Sequence, residues 1–189
     1  MAQEWNIQEI EVEGYPNVRM MIAEGLKASQ SVRVLDLLER LKDESFELAI
    51  EIGTQEGGFA ALVKMCLGCE VWTVDKNDWQ PTELKRDVFK KLDVNFRLGD
   101  CFESPWLESL MSDPRKKIVF CDGGHKGNEF TYFAKMINKG DFIGGHDFFD
   151  TPQDRDDNIW TTCELWLDQL DGAIIDHRLK RRYKELVTA

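Results

Sequence analysis

Short apolar runs and amphipathic stretches alternate along residues 46–170 of the chain. The apolar runs predict strands, and the stretches with helical spacing predict helices between them. The predicted strands are 47–52, 70–75, 94–98, 117–122 and 141–146, and the predicted helices lie near 58–67, 81–91, 103–111, 127–138 and 160–170. Strands that are separated by helices pair in parallel through right-handed crossovers, with helices on both faces of the sheet. The pattern therefore predicts an α/β protein with a doubly wound sheet.

The C-terminal residues depart from this alternation. Two apolar runs at 173–179 and 183–187 are joined by a short basic turn that leaves no room for a helix. Two runs so close together predict an antiparallel hairpin. The hairpin would bring the sheet to seven strands, most of them parallel.

The residues before 46 show helical spacing at 18–28 and again at 31–42, where Ser31 is a suitable N-cap. We therefore expect two N-terminal helices. No repeat, low-complexity tract or linker divides the chain, so we expect one domain over residues 1–189. Residues 1–45 would form a helical cap on a core formed by residues 46–189.

Composition narrows the range of partners. The chain has 189 residues, of which 42% are hydrophobic and 31% charged, with a net charge of -11. A negative surface argues against general binding of nucleic acids or anionic membranes, and no apolar run reaches the roughly 18 residues that span a bilayer. The first residues show no secretory signal, and five irregularly spaced cysteines favour a reducing compartment. We expect a cytoplasmic protein.

The first predicted strand ends in a glycine turn, Gly53-Thr-Gln-Glu-Gly57-Gly58, and a predicted helix follows at once. Such a turn presents backbone N–H groups to a ligand. The second predicted strand ends at Asp75, 22 residues after Gly53, which is a suitable distance for a carboxylate that binds a ribose diol. A nucleotide-like cofactor is favoured, with a turn that binds no ligand as the alternative. Gln55 replaces the middle glycine of a dinucleotide fingerprint, which disfavours an NAD-dependent reductase.

The segment Glu51-x-Gly53-x-x-x-Gly57 resembles the first motif of class I S-adenosylmethionine (SAM)-dependent methyltransferases, a family whose parallel sheet ends in a C-terminal hairpin. The resemblance implies SAM as the cofactor, with Asp75 on the ribose hydroxyls and Asp100 near the adenine. The cofactor-binding residues that it implies are Glu51, Gly53, Gly57, Gly58, Asp75, Asp100 and Cys101. Trp79 follows Asp75 closely enough to stack on the adenine or to pack elsewhere.

Two further motifs follow the fourth and fifth predicted strands. Asp122-Gly-Gly-His125 and Gly144-Gly-His146-Asp147 together resemble a small subfamily related to catechol and macrolide-sugar O-methyltransferases. That resemblance implies a divalent cation held by Asp122, His146 and Asp147. Carboxylate oxygens suit Mg²⁺, whereas the imidazole of His146 suits Mn²⁺ or another transition metal. A variant without metal stays open.

The same subfamily has a general base three residues after its first metal ligand. His125 occupies this position, and Lys126 is next to it. Methyl transfer needs an oxygen nucleophile that has lost its proton, and a cation that chelates substrate hydroxyls makes the loss easier. An imidazole with an ordinary pKa of about 6.5 is a suitable base at neutral pH. The alternative is that His125 only hydrogen-bonds its loop.

The resemblance implies metal-assisted methylation of a hydroxyl group on a small molecule. The oligomeric state stays open, with a homodimer as the state that is common among methyltransferases of this type. Two alternatives stay open. One is a metal-dependent hydroxylase on the same scaffold, as in cephalosporin hydroxylase-like relatives, and the other is a non-catalytic binding protein that has kept the fold.

Overall fold

A six-stranded sheet lies at the centre of the protein. The structure is a computed structural model that describes residues 5–11, 19–28, 33–79, 82–138, 140–145 and 166–168. The strands of the sheet are β4 (Leu48–Ile52), β5 (Glu70–Asp75), β6 (Val94–Leu98), β7 (Lys117–Cys121), β8 (Phe142–Gly145) and β9 (Trp166–Asp168). Their order is β6-β5-β4-β7-β8-β9, and all neighbours are parallel except β8 and β9. The five parallel strands agree with the strand predictions to within a residue or two.

Helices cover both faces of this sheet. They are α1 (Arg33–Leu41), α2 (Gly58–Leu67), α3 (Glu83–Leu92), α4 (Pro105–Met111) and α5 (Lys126–Phe133). Helices α1, α2 and α3 contribute to one apolar cluster, and α4 and α5 contribute to a second. Every residue of β4 and β7 is buried between the two clusters, which explains why these central strands are mostly apolar, with Glu51 and Lys117 as their charged residues. The α/β class and the doubly wound arrangement are confirmed.

The N-terminal region differs from its prediction. The helix predicted at 18–28 is wrong, because these residues form two strands of a separate antiparallel sheet, whose strands are β1 (Ile7–Glu11), β2 (Arg19–Ala23) and β3 (Leu26–Ala28). Glu24 and Gly25 join β2 to β3 in a two-residue turn in which both φ angles are positive, 51° and 86°. Turns of this kind match the twist of paired strands. The second predicted helix is confirmed as α1, whereas Ser31 lies outside the described residues.

The edge of the central sheet gives a second correction. Residues 166–168, predicted as part of a helix at 160–170, form β9 and pair antiparallel with β8. Strand β8 offers unpaired backbone groups along its outer edge, and this pairing satisfies them. The hairpin predicted at 173–187 lies outside the described residues, so the count of seven strands is not confirmed. None of the described helices is long and apolar enough to cross a membrane.

Candidate active site

A cavity of about 640 Å³ opens at the carboxyl ends of β4, β5 and β7. Its walls are the glycine turn after β4, the loop at 76–79 after β5, the turn after β6 and the loop at 122–125 after β7. Parallel strands deliver their following loops to one edge of the sheet, which is where ligands bind in open α/β folds. Of the twelve predicted site residues, six line this cavity: Gly53, Asp75, Cys101, Asp122, His125 and Lys126.

The glycine turn needs Gly53 because of a close approach between backbones. Its φ is +98°, and a Cβ atom there would lie 2.3 Å from the carbonyl oxygen of Asp122. The turn is therefore packed directly on the loop after β7. Gly57 also has a positive φ of +89°, and a Cβ atom there would meet the ring of Phe89. Gly57 and Gly58 shape the turn and the start of α2 without lining the cavity.

Asp75 lines the cavity, and two backbone N–H groups hold its carboxylate. The N–H of Gln55 donates to Oδ2 at 3.0 Å, and the N–H of Asn77 donates to Oδ1 at 3.0 Å. Each carboxylate oxygen can accept a further hydrogen bond. The predicted position for a ribose-binding carboxylate is therefore occupied by a group whose orientation is already fixed.

Glu51 lies behind the cavity wall and does not line it. Only 2% of the residue is exposed, and its Oε2 accepts a 2.5 Å hydrogen bond from the hydroxyl of Thr73. That hydroxyl also lies 2.6 Å from the hydroxyl of Thr54. Burial raises the pKa of Glu51 well above its ordinary value, since a buried carboxylate loses its hydration. Glu51, the acidic residue of the Glu-x-Gly motif, therefore links β4 to β5 through its hydrogen bond with Thr73.

Asp100 and Cys101 begin the turn after β6. Asp100 accepts the N–H of Phe102 at 2.9 Å and pairs with Lys76, with 2.7 Å between the charged atoms. The hydrogen bond from Lys76 lowers the pKa of Asp100. Cys101 lines the cavity, and burial raises the pKa of its thiol to about 12. Lys76, which the sequence reasoning missed, also lines the cavity and joins its β5 and β6 walls.

The predicted catalytic residues lie where the loop after β7 meets α5, with His125 at the end of the loop and Lys126 as the first residue of the helix. Asp122 is buried at the cavity, and its Oδ1 lies 3.6 Å from the ammonium of Lys126. His125 is exposed in the lining and precedes α5. Glu129, which is outside the predicted site residues, accepts the N–H of Gly123 at 3.1 Å and that of His125 at 3.0 Å. Burial raises the pKa of Glu129 despite these two bonds. Glu129 therefore fixes the loop backbone on which His125 sits.

The predicted metal site can be examined only in part. His146 and Asp147 lie outside the described residues, which leaves Asp122 as the one predicted ligand with a known position. Within the described part of the chain, no three His, Cys, Asp or Glu side chains are grouped as a metal site requires. Asp122 instead pairs with Lys126. The described residues alone therefore do not fit a metal ion, and the complete set of three ligands stays a prediction.

Comparison with known proteins identifies the fold. No family model and no curated protein matches the chain. Among solved structures, a provisionally named O-methyltransferase from Klebsiella pneumoniae has a TM-score of 0.54 at 16% identity, over 88% of this chain and 73% of that one. An O-methyltransferase from Bacillus cereus, in complex with S-adenosylhomocysteine (SAH), has a TM-score of 0.52 at 18% identity, over 82% and 68%. CmcI without ligand has a TM-score of 0.52 at 16% identity, over 65% and 55%.

The chain therefore spans little more than half the length of CmcI. Identities of 16–18% establish a shared fold and no more. The α/β fold that the sequence motifs implied is confirmed, and it is shared with the O-methyltransferase structures from Klebsiella pneumoniae and Bacillus cereus.

Proposed function

We propose that the protein is a SAM-dependent methyltransferase that methylates a hydroxyl group of a small molecule. The observation that carries this proposal is the anchored carboxylate of Asp75 beside the glycine turn, in a cavity at the carboxyl ends of parallel strands. The Bacillus cereus O-methyltransferase, which shares the fold, was solved with SAH. The fold and the site thus support the same cofactor.

The cavity suits SAM in size and chemistry. Its volume of about 640 Å³ lies in the usual range for cofactor and small-molecule sites. We propose that Asp75 accepts hydrogen bonds from the ribose hydroxyls. The aromatic rings of Trp79 and Phe102, which both line the cavity, are suited to pack on the adenine. The carboxylates of Asp75 and Asp122 at the cavity favour a ligand that carries the positive charge of a sulfonium.

The transfer itself forms one bond and breaks another. An acceptor oxygen attacks the methyl carbon while the bond from that carbon to sulfur breaks, and the sulfonium becomes a neutral thioether. We propose that His125 takes the proton of the acceptor hydroxyl, because the ammonium of Lys126 is engaged with Asp122. Assistance by a divalent cation at Asp122, His146 and Asp147 is a separate proposal, and no step above depends on it.

Calorimetric titration tests the cofactor. Purified protein is titrated with SAH and, in parallel, with NAD⁺, each with and without Mg²⁺ or Mn²⁺. We expect SAH to bind with a Kd of about 1 μM and NAD⁺ not to bind. The Asp75→Ala variant should bind SAH at least about tenfold more weakly, because it loses charge-assisted hydrogen bonds.

The matched control is Asp87→Ala, which removes an exposed carboxylate from α3. It should bind SAH as the wild type does, and circular dichroism should show that both variants are folded. If the wild type fails to bind SAH under every metal condition, the methyltransferase proposal is wrong. The hydroxylase and the binding protein would then be the functions to test.

A further inference from the structure

Lys85 on α3 is a buried lysine whose ammonium donates its hydrogen bonds to residues outside the helix. Only 3% of the residue is exposed. Its ammonium donates to the carbonyl oxygen of Gln55 at 3.1 Å, to Oδ1 of Asp78 at 3.1 Å and to the carbonyl oxygen of Trp79 at 3.4 Å. An ammonium has three donors, so each donor has one acceptor. Three oxygen atoms therefore stabilise the buried charge.

These acceptors belong to the two segments that form adjoining walls of the cavity. Gln55 is in the glycine turn, 30 residues before Lys85. Asp78 and Trp79 are in the loop after β5. Gln55 and Trp79 line the cavity, whereas Lys85 does not. Lys85 therefore contacts both walls on the side that faces away from the cavity.

The peptide groups of Gln55 are held from two sides. The carbonyl oxygen binds Lys85, and the N–H binds Asp75. Asp75 also binds the N–H of Asn77, the residue before Asp78, and Asp78 returns to Lys85. The result is a closed ring of interactions that contains the carboxylate proposed to bind ribose. Gln55 has a φ of +46°, a conformation that is unfavourable for a non-glycine residue and persists only when neighbouring groups enforce it.

Two aromatic rings also contact the ammonium of Lys85. Its nitrogen lies 4.6 Å from the ring centre of Phe96 and 5.9 Å from that of Phe89. Both distances are within the range in which a cation is attracted to a ring face. Phe89 in turn is the ring against which Gly57 packs. The position of Lys85 is therefore fixed by its surroundings, and it can transmit that position to the two loops.

We propose that Lys85 is a positioning residue that holds the glycine turn and the loop after β5 in the arrangement that binds the cofactor. The proposal rests on the proposed function, because SAM is the ligand it concerns. Without the ammonium, the two loops separate part of the time, and only the remaining fraction of molecules is competent to bind. The apparent Kd rises in inverse proportion to that fraction.

The test compares Lys85→Met with Lys90→Met, which makes the same change at an exposed position of the same helix. Hydrogen exchange of the free protein is measured first. Lys85→Met should exchange the amide protons of Gln55 and Asn77 about tenfold faster, while amides in β4 and β7 keep their protection. SAH titration should give a Kd about tenfold weaker for Lys85→Met. Lys90→Met should match the wild type in both measurements.

A folded Lys85→Met whose exchange at Gln55 and Asn77 and whose SAH affinity are those of Lys90→Met would overturn the proposal. If Lys85→Met does not fold, Asp78→Ala decides, since it removes the acceptor Oδ1 of a side chain that is 37% exposed and leaves the core intact. Faster exchange at Asn77 in Asp78→Ala supports the proposal, and unchanged exchange overturns it. Failure of the wild type to bind SAH would overturn the proposed function. Hydrogen exchange would still test whether Lys85 holds the two loops together.

Discussion

Gly53 is the residue at which the glycine turn presses on the loop after β7, and alanine at this position should separate the two. A Cβ atom would lie 2.3 Å from the carbonyl oxygen of Asp122, 2.6 Å from its carbonyl carbon and 2.7 Å from the nitrogen of Gly123. All three are backbone atoms, so no side-chain rotation relieves the overlap. One of the two loops must move.

Two effects add up in Gly53→Ala. An L-residue with a left-handed backbone is destabilised by roughly 1–2 kcal/mol, and insertion of a carbon atom into a packed region by about 1–3 kcal/mol. We therefore expect the free energy of unfolding to fall by about 2–5 kcal/mol. Gly68→Ala is a matched control, since Gly68 has a φ of +69° and a Cβ atom there would meet nothing within 4 Å. The free energy of unfolding of Gly68→Ala should fall by about 1–2 kcal/mol.

Urea unfolding followed by circular dichroism measures both variants against the wild type. The comparison is valid if the three proteins share one m-value. The difference between the two variants gives the contribution of the backbone contact alone. Equal losses of unfolding free energy in Gly53→Ala and Gly68→Ala would refute the close packing of the glycine turn on the loop after β7.

Two buried carboxyl groups give the remaining predictions. Burial raises the pKa of Glu51 in the folded protein, so the stability that its proton contributes is complete below about pH 4.5 and is lost as the pH rises through the raised value. Relative to Glu51→Gln, the wild type should lose up to about 1.4 kcal/mol of unfolding free energy per pH unit in that window, which urea titrations at a series of pH values would show. Glu129→Gln turns an amide group towards one of two N–H donors and should destabilise the protein by about 1–3 kcal/mol, measured beside Glu103→Gln, which changes an exposed residue.

Each of these has an outcome that contradicts it. A constant stability difference between the wild type and Glu51→Gln from about pH 4 to about pH 8 would mean that Glu51 does not titrate differently in the folded protein. If Glu129→Gln is as stable as Glu103→Gln, the loop after β7 does not depend on the carboxylate of Glu129.

The central sheet could be predicted because its signals are local. The buried strands are largely apolar runs, and glycines with positive φ mark the turn after β4 and the end of α2. The carboxyl ends of parallel strands meet at one edge, so the order of strands and helices is enough to assign residues such as Asp75 and Asp122 to one site. The N-terminal strands could not be predicted in this way. Residues 19–28 contain apolar residues that fit either a helix or a hairpin, and the Glu24-Gly25 turn decides between them.

The residues that support the site depend on contacts that sequence spacing does not show. Lys85 meets Gln55 because α3 packs beside α2, and nothing in the chain order indicates that its side chain turns inward. Glu129 has a weak signal, since a carboxylate near the start of a helix often accepts backbone N–H groups of the preceding residues. Strand β9 is three residues long and is determined by its pairing with β8, a contact that local pattern does not indicate.

The position of β3 against α2 has a consequence for the design of shortened forms of the protein. A Cβ atom on Gly58 would lie 2.3 Å from the carbonyl carbon of Lys27, so the backbone of β3 lies directly on the first turn of α2. Met21, Ala23, Leu26 and Ala28 are buried in the same apolar cluster as α2 and α3. A form that begins at residue 46 would keep every predicted site residue, yet it would expose this apolar surface to water and tend to aggregate. The antiparallel sheet is thus an integral wall of the core.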